Sequence, residues 1–121
     1  MQPTRYEQMW SHPITGVKHN PLTSDTQDRY PHVVEMPLDR SHFPRDLRKI
    51  WLYDTFKNSR WVTEDMHRVE TRMKPVLNEE GAAYTSESVE TRSPVRLFRF
   101  VDQQEALVFR LRWQGSQDGL Q

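Results

Sequence analysis

Apolar residues are unevenly spread along this chain. They are densest from Val95 to Trp113, where VRLFRFV and EALVFRLRW flank Asp102-Gln103-Gln104. Val95 to Val101 is rich in β-branched and aromatic residues and follows Pro94, which predicts a strand. Asp102 stands three residues before Glu105, and Val101 is placed to pack on Ala106. Together these are the capping box and hydrophobic staple of a helix start, so the spacing predicts a helix from Asp102 to about Trp113. A rival pattern runs through the same residues: Leu107, Phe109, Leu111 and Trp113 alternate with Arg110 and Arg112, as in a half-buried strand. The Asp-Gln-Gln connection lacks the glycine or asparagine that short hairpins prefer, which favours strand followed by helix.

Elsewhere the pattern is patchier. His32 to Pro37 (HVVEMP) predicts a short strand closed by its proline. Ser41 can cap a helix that carries Phe43, Leu47, Ile50 and Trp51 at helical spacing and ends near Lys57. Trp61-Val62 reads as a short strand. Thr63 then caps a second predicted helix, with Met66, Val69 and Met73 on one face and Pro75 as its stop. A strand over HRVETRM is the competing reading. The tetrapeptide VETR occurs at Val69–Arg72 and again at Val89–Arg92; two such short matches establish no structural repeat. Asn78 to Gly81 reads as a turn, and Ala82 to Thr91 as at most an exposed edge strand.

The N-terminal third differs from all of this. Six of the eight prolines fall within the first 44 residues, each removing an amide donor and biasing its predecessor away from helix. The apolar residues between them follow no period, and Thr23 to Asp28 reads as loop. Residues 1–31 therefore read as an extended, proline-rich arm. Aromatic side chains are scarce in disordered segments, so Tyr6, Trp10 and Tyr30 are the candidate partner contacts. Such an arm either wraps its own domain or lies along a partner. The expected organisation is this arm, a single α+β domain over 32–114 built as a small two-layer sheet-and-helix unit, and a polar tail over 115–121.

Composition narrows the function classes. At 121 residues the chain suits one domain, and its hydrophobic content of 35% is low enough to leave part of it outside a core. There is no cysteine, hence no disulfide and no thiolate metal site. No basic, apolar leader opens the sequence and no apolar run approaches the roughly 20 residues of a membrane span. A cytoplasmic location and no membrane contact are expected. Basic and acidic residues number 17 each, so bulk charge draws no nucleic acid. Locally, four glutamates (Glu79, Glu80, Glu87, Glu90) precede an arginine-rich segment. Arg96, Arg110 and Arg112 are the candidate anion or nucleic-acid contacts on that segment; pairing of the arginines with the acidic block is the plainer expectation.

Catalytic signatures are missing. The four glycines are too scattered for a P-loop or dinucleotide fingerprint. The five histidines show no metal-ligand spacing, and Glu64 to His67 supplies one Glu-x-x-His step where a di-iron bundle needs two. No nucleophile elbow occurs. The sequence thus nominates no catalytic, cofactor-binding or metal-binding residue and no small-molecule ligand.

The segment FRFVDQQEALVFRLRW, Phe98 to Trp113, resembles the ending of small uncharacterised proteins of tailed bacteriophages, with an aromatic strand, an acidic turn and a phenylalanine-basic-leucine run closing on an aromatic. The resemblance spans about 16 residues. It implies a phage or prophage origin and an α+β fold with a sheet backed by helices, and it brings no site residues. The expectation is a non-catalytic assembly or interaction protein, an oligomer or virion component, that meets a protein partner through its N-terminal arm. The alternative is a small nucleic-acid-binding or polymerase-associated regulator using the arginine-rich C-terminal face.

Overall fold

A computed structural model describes residues 4–18, 21–57, 60–77, 81 and 84–119. The described residues form a four-stranded antiparallel sheet with helices on both faces, an α+β domain. In chain order the elements are β1 (Thr4–Gln8), α1 (Ser24–Arg29), β2 (His32–Pro37), a 3-10 turn (Arg40–His42), α2 (Leu47–Thr55), β3 (Trp61–Leu77), β4 (Tyr84–Phe100) and α3 (Gln103–Gly119). The strand order is β1-β3-β4-β2.

The sheet is organised by one long hairpin. β3 and β4 pair from Trp61↔Phe100 out to Leu77↔Tyr84. This overturns the helix expected from Thr63 to Lys74. Met66, Val69 and Met73 do sit at helical spacing, but alternate residues here serve opposite faces of a central strand. Val69 is fully buried on one face and Met66 is buried on the other. Ala82 to Thr91 is likewise more than an edge fragment, since from Tyr84 onward it belongs to β4. The two VETR copies lie directly across from each other: Val69 faces Arg92, Glu70 faces Thr91, Thr71 faces Glu90 and Arg72 faces Val89. Most of the expected Asn78–Gly81 turn, with Glu79 and Glu80, lies outside the described residues; Gly81 has a φ of 68°, which glycine adopts without steric cost.

Residues paired across the ladder share a face, so the register assigns two. The first face carries Trp61, Phe98, Phe100, Val34 and Met36, all buried, beneath Leu52 of α2 and Ala106 and Phe109 of α3. Phe109 is the centre of this core, with ring centroids 4.6 Å from Phe98, 5.5 Å from Phe100 and 6.2 Å from Trp51. The second face carries the smaller cluster Met66, Val95 and Leu97. There α1 contributes Gln27, which donates to Glu64 (3.1 Å), and Arg99 pairs with the same carboxylate.

α3 starts just after Asp102, as expected, and the Asp102 side chain accepts from the Gln104 amide at 2.8 Å. It buries Ala106 and Phe109 while Leu107 and Leu111 stay exposed, so the alternating pattern loses to the helical one. It also continues to Gly119, which takes up most of the expected polar tail. The helix expected from Ser41 is shorter than its periodicity suggests. Pro44 holds Phe43 extended (φ −129°, ψ 141°), and Asp46, not Ser41, caps α2 by accepting from the Arg48 amide.

Within 1–31, the described residues 4–18 and 21–31 contain regular elements. Thr4–Gln8 is the edge strand beside β3, and Met9 and His12 are buried. Thr23 to Asp28, expected as loop, lies in and beside α1: the Thr23 hydroxyl accepts from the Thr26 amide and Asp25 sits in the first turn.

Candidate functional site

The most unusual feature of the first sheet face is a chain of buried polar side chains beside the aromatic core. Asp46 caps α2 and grips Arg48, whose Nε and second guanidinium nitrogen each donate to its carboxylate at 2.8 Å. Arg48 also donates to the Pro37 carbonyl at 2.7 Å and lies over the Phe98 ring. Arg96, on β4 in the inward register of Phe98 and Phe100, donates to Asp46 at 2.9 Å. It then forks onto Asp65 of β3 at 2.7 and 2.9 Å, while stacking on Phe43. Asp65 accepts from His12 Nε2 at 2.9 Å. The other ring nitrogen of His12 accepts from the Ile14 and Thr15 amides at 3.2 and 3.3 Å. Those two donors place the imidazole proton on Nε2, pointing at Asp65.

The network is neutral as a whole: two carboxylates, two guanidiniums and a neutral imidazole. It joins the N-terminal loop, β2, α2, β3 and β4. Its electrostatics follow from two opposed effects. Burial raises the carboxyl pKa of Asp46, but the hydrogen bonds and charge of Arg48, with help from Arg96, outweigh it and bring the group down to about 2. At Asp65 burial again works upward, and Arg96 and His12 overcome it, so this carboxyl also lies below its ordinary range. Arg96 is pushed up by the same two carboxylates against the effect of burial.

A carboxyl whose folded pKa is depressed stabilises the fold at pH above its unfolded value, and that stability is lost as pH falls toward the folded value. Urea unfolding midpoints are therefore expected to hold above about pH 4 and to drop steeply between about pH 4 and pH 2, with Asp46 contributing on the order of 2 kcal/mol. Asp46→Asn should flatten that part of the profile. An unchanged slope would mean that Asp46 is not among the groups that take up protons on acid unfolding.

His12 does more than fill space. Its backbone amide donates to the Val17 carbonyl and its carbonyl accepts from the Gly16 amide (2.9 and 2.8 Å), closing a loop that needs Gly16 at φ 72°. An isolated bridge between Ser11 and Lys18 completes it. Met9 and His12 point inward, whereas Trp10 is 73% exposed and Val17 65%. The loop is thus held from beneath by the ionic network and presents an indole outward.

The remaining sequence candidates are dispersed. Tyr6 is half-exposed on β1, and its hydroxyl donates to Glu35, which Arg68 also holds. Burial and the Glu35 carboxylate push the Tyr6 phenol up to about 12. Tyr30 caps the C-terminus of α1. Arg96 is buried inside the network. Arg110 lies on α3 beside a shallow groove lined by Pro31, His32 and Leu107, and Arg112 stacks on Trp113 at 4.8 Å. Two residues apart on a helix, Arg110 and Arg112 diverge by about 200°, so the three arginines form no common face. Of the acidic block, Glu90 pairs with Arg5 and Arg92, and Arg92 also meets Glu7.

The sequence reading missed His12, Asp46, Asp65 and Arg48 altogether. One signal for them was present. In VRLFRF the arginine at position 96 shares the strand parity of Phe98 and Phe100, and an arginine on an aromatic inward face demands buried acids. Among the described residues no group of three or more His, Asp or Glu side chains is placed to hold a metal ion, and no helix is long and apolar enough to cross a membrane. No protein-family model, curated protein or solved structure matches the chain.

Proposed function

We propose that this chain is a non-catalytic assembly or interaction protein of phage or prophage origin, which meets a protein partner through its N-terminal segment. The observation that carries this reading is the exposure of Trp10 on a loop fixed by buried neighbours. Tryptophan dominates the energetics of many protein interfaces. An indole held in place before binding avoids much of the ordering cost that a flexible arm would meet.

The regulator alternative has less behind it. It relied on arginines sharing a face, and Arg96 is committed to Asp46 and Asp65 while Arg110 and Arg112 diverge on α3.

Trp10→Ala tests the proposal directly. At so exposed a position it is expected to change unfolding free energy by less than about 0.5 kcal/mol. Recovered by affinity from cells of the organism that carries the gene, the wild-type chain should bring one partner in stoichiometric amount, depleted about tenfold or more with the variant. Equal recovery would reject this surface as the contact. Salt-sensitive binding of the wild-type chain to single-stranded DNA, unchanged by Trp10→Ala, would favour the regulator instead.

A further inference from the structure

The distal halves of β3 and β4 form a two-stranded ribbon that outruns the rest of the sheet. β1 covers β3 only along Met66–Glu70, and β2 covers β4 only along Val95–Phe100. Beyond these, among the described residues, each strand of the ribbon has one edge with no strand beside it. Such an edge is a row of amide and carbonyl groups ready to receive another strand. A lone two-stranded ribbon is also marginally stable in water.

The prolines show which edge is usable. In an antiparallel ladder, residues alternate between pointing their backbone groups at the neighbour and pointing them away, and proline fits only where its nitrogen points away. Pro75 lies opposite Ser86, and Pro94 opposite His67. Both therefore assign the outward positions to odd numbers on β3 and to even numbers on β4. β2 agrees with this parity: its carbonyls at Glu35 and Pro37 point away from β4 and accept from Gln114 and Arg48. On β3 the open edge, Thr71 to Leu77, is interrupted at its middle by Pro75. On β4 it runs through Tyr84, Ser86, Ser88, Glu90 and Arg92 without a proline, stopping at Pro94 where β2 begins.

We infer that this edge of β4 pairs antiparallel with the same edge of a second copy of the chain, about a twofold axis at Ser88. Twofold, self-complementary interfaces are the commonest in homo-oligomers, and the register is self-compatible. Ser88 meets Ser88 of the second copy, Ser86 meets Glu90, Tyr84 meets Arg92, Thr85 meets Thr91 and Glu87 meets Val89. No like charges face each other. An axis at Glu87 or Glu90 would set two carboxylates opposite, and one at Val89 would bring Pro94 into the pairing. The added strand spans about 30 Å at roughly 3.4 Å per residue and turns two marginal ribbons into one four-stranded stretch. The ion pairs at the ribbon root, Arg5–Glu90 and Arg92–Glu7, join side chains and leave the backbone edge open. This contact is separate from the Trp10 surface and does not rest on it.

Light scattering on eluted wild-type protein over a concentration series should give a monomer–dimer equilibrium, with a Kd on the order of 1–100 µM for so small an interface. Ser88→Pro removes one outward amide per chain, at an outward position like those that hold Pro75 and Pro94, so the monomer ladder should survive. The Kd should rise about tenfold or more. Met73→Pro, on the outward edge of β3, should leave it unchanged. If Ser88→Pro unfolds the chain, Ser88→Lys and Ser88→Asp decide: each alone should dimerise poorly, and an equimolar mixture should recover the dimer. A wild-type chain that keeps the single-chain mass at millimolar concentration overturns the inference, as does a folded Ser88→Pro chain that dimerises normally. Neither result touches the Trp10 reading, because Trp10→Ala is expected to leave this Kd unaltered.

Discussion

Arg96→Ala is expected to lower the unfolding free energy by about 3–5 kcal/mol and the melting temperature by about 10–20 °C, enough to threaten folding in a domain of this size. The loss does not measure what the intact pair contributes. It arises because Asp65 and Asp46 remain buried and each loses donors that offset its desolvation. Two further results separate this from simple loss of packing over Phe43. Adding Asp65→Asn to Arg96→Ala should cost clearly less than the sum of the single effects, because the second change removes the charge that the first left unpaired. The deficit should also shrink toward pH 4. Without Arg96, burial and the neighbouring Asp46 carboxylate raise the folded pKa of Asp65, so the folded variant binds a proton more readily than its unfolded chain and gains relative stability as pH falls. A deficit that is constant across pH, with additive double-variant energies, would mean that Arg96 acts only by filling space.

Legibility in the sequence followed the range of the interactions. β2 and the start of α3 were readable because their determinants are local: two valines before a proline, and an acidic cap three residues before a glutamate. β3 was not, because Met66, Val69 and Met73 fit a helix as well as a strand until the partner strand is known. That partner was legible only in retrospect. The paired VETR copies carry complementary positions in opposite directions, valine against arginine and glutamate against threonine. The buried network was hidden for a stronger reason. Its members stand at positions 12, 46, 48, 65 and 96, and only folding brings them together. The exposed Trp10 was named from composition alone, but the reason it is held firmly, His12 beneath it, depends on Asp65 in a strand that was expected to be a helix.

The proposed partner loop and the proposed β4 edge occupy different parts of the molecule and have different origins. The loop is held by ionic contacts to the core, whereas the β4 edge exists because the hairpin outgrows its neighbours. They can therefore fail or survive independently, and both depend on the same aromatic core staying packed.

Phe109→Ala addresses that core and is expected to cost about 3–5 kcal/mol. The ring is fully buried between Phe98, Phe100 and Trp51, and the surrounding sheet cannot collapse into the space left behind. It is also the main apolar attachment of α3 to the sheet, so its removal should loosen the helix end that carries Trp113 and the Gln114 contact to the Glu35 carbonyl. Near-ultraviolet circular dichroism from Trp51 and Trp113 should weaken together, and amide exchange should quicken along α3 and the outer edge of β2 before it does in the β3–β4 hairpin. The comparison with Leu107→Ala is decisive for the local structure. Leu107 and Phe109 would share a buried face if this segment were a strand, and both substitutions would then be severe. In a helix Leu107 is 51% exposed, so its replacement should change stability by less than about 0.5 kcal/mol. Comparable losses from the two substitutions would contradict the helical docking of α3.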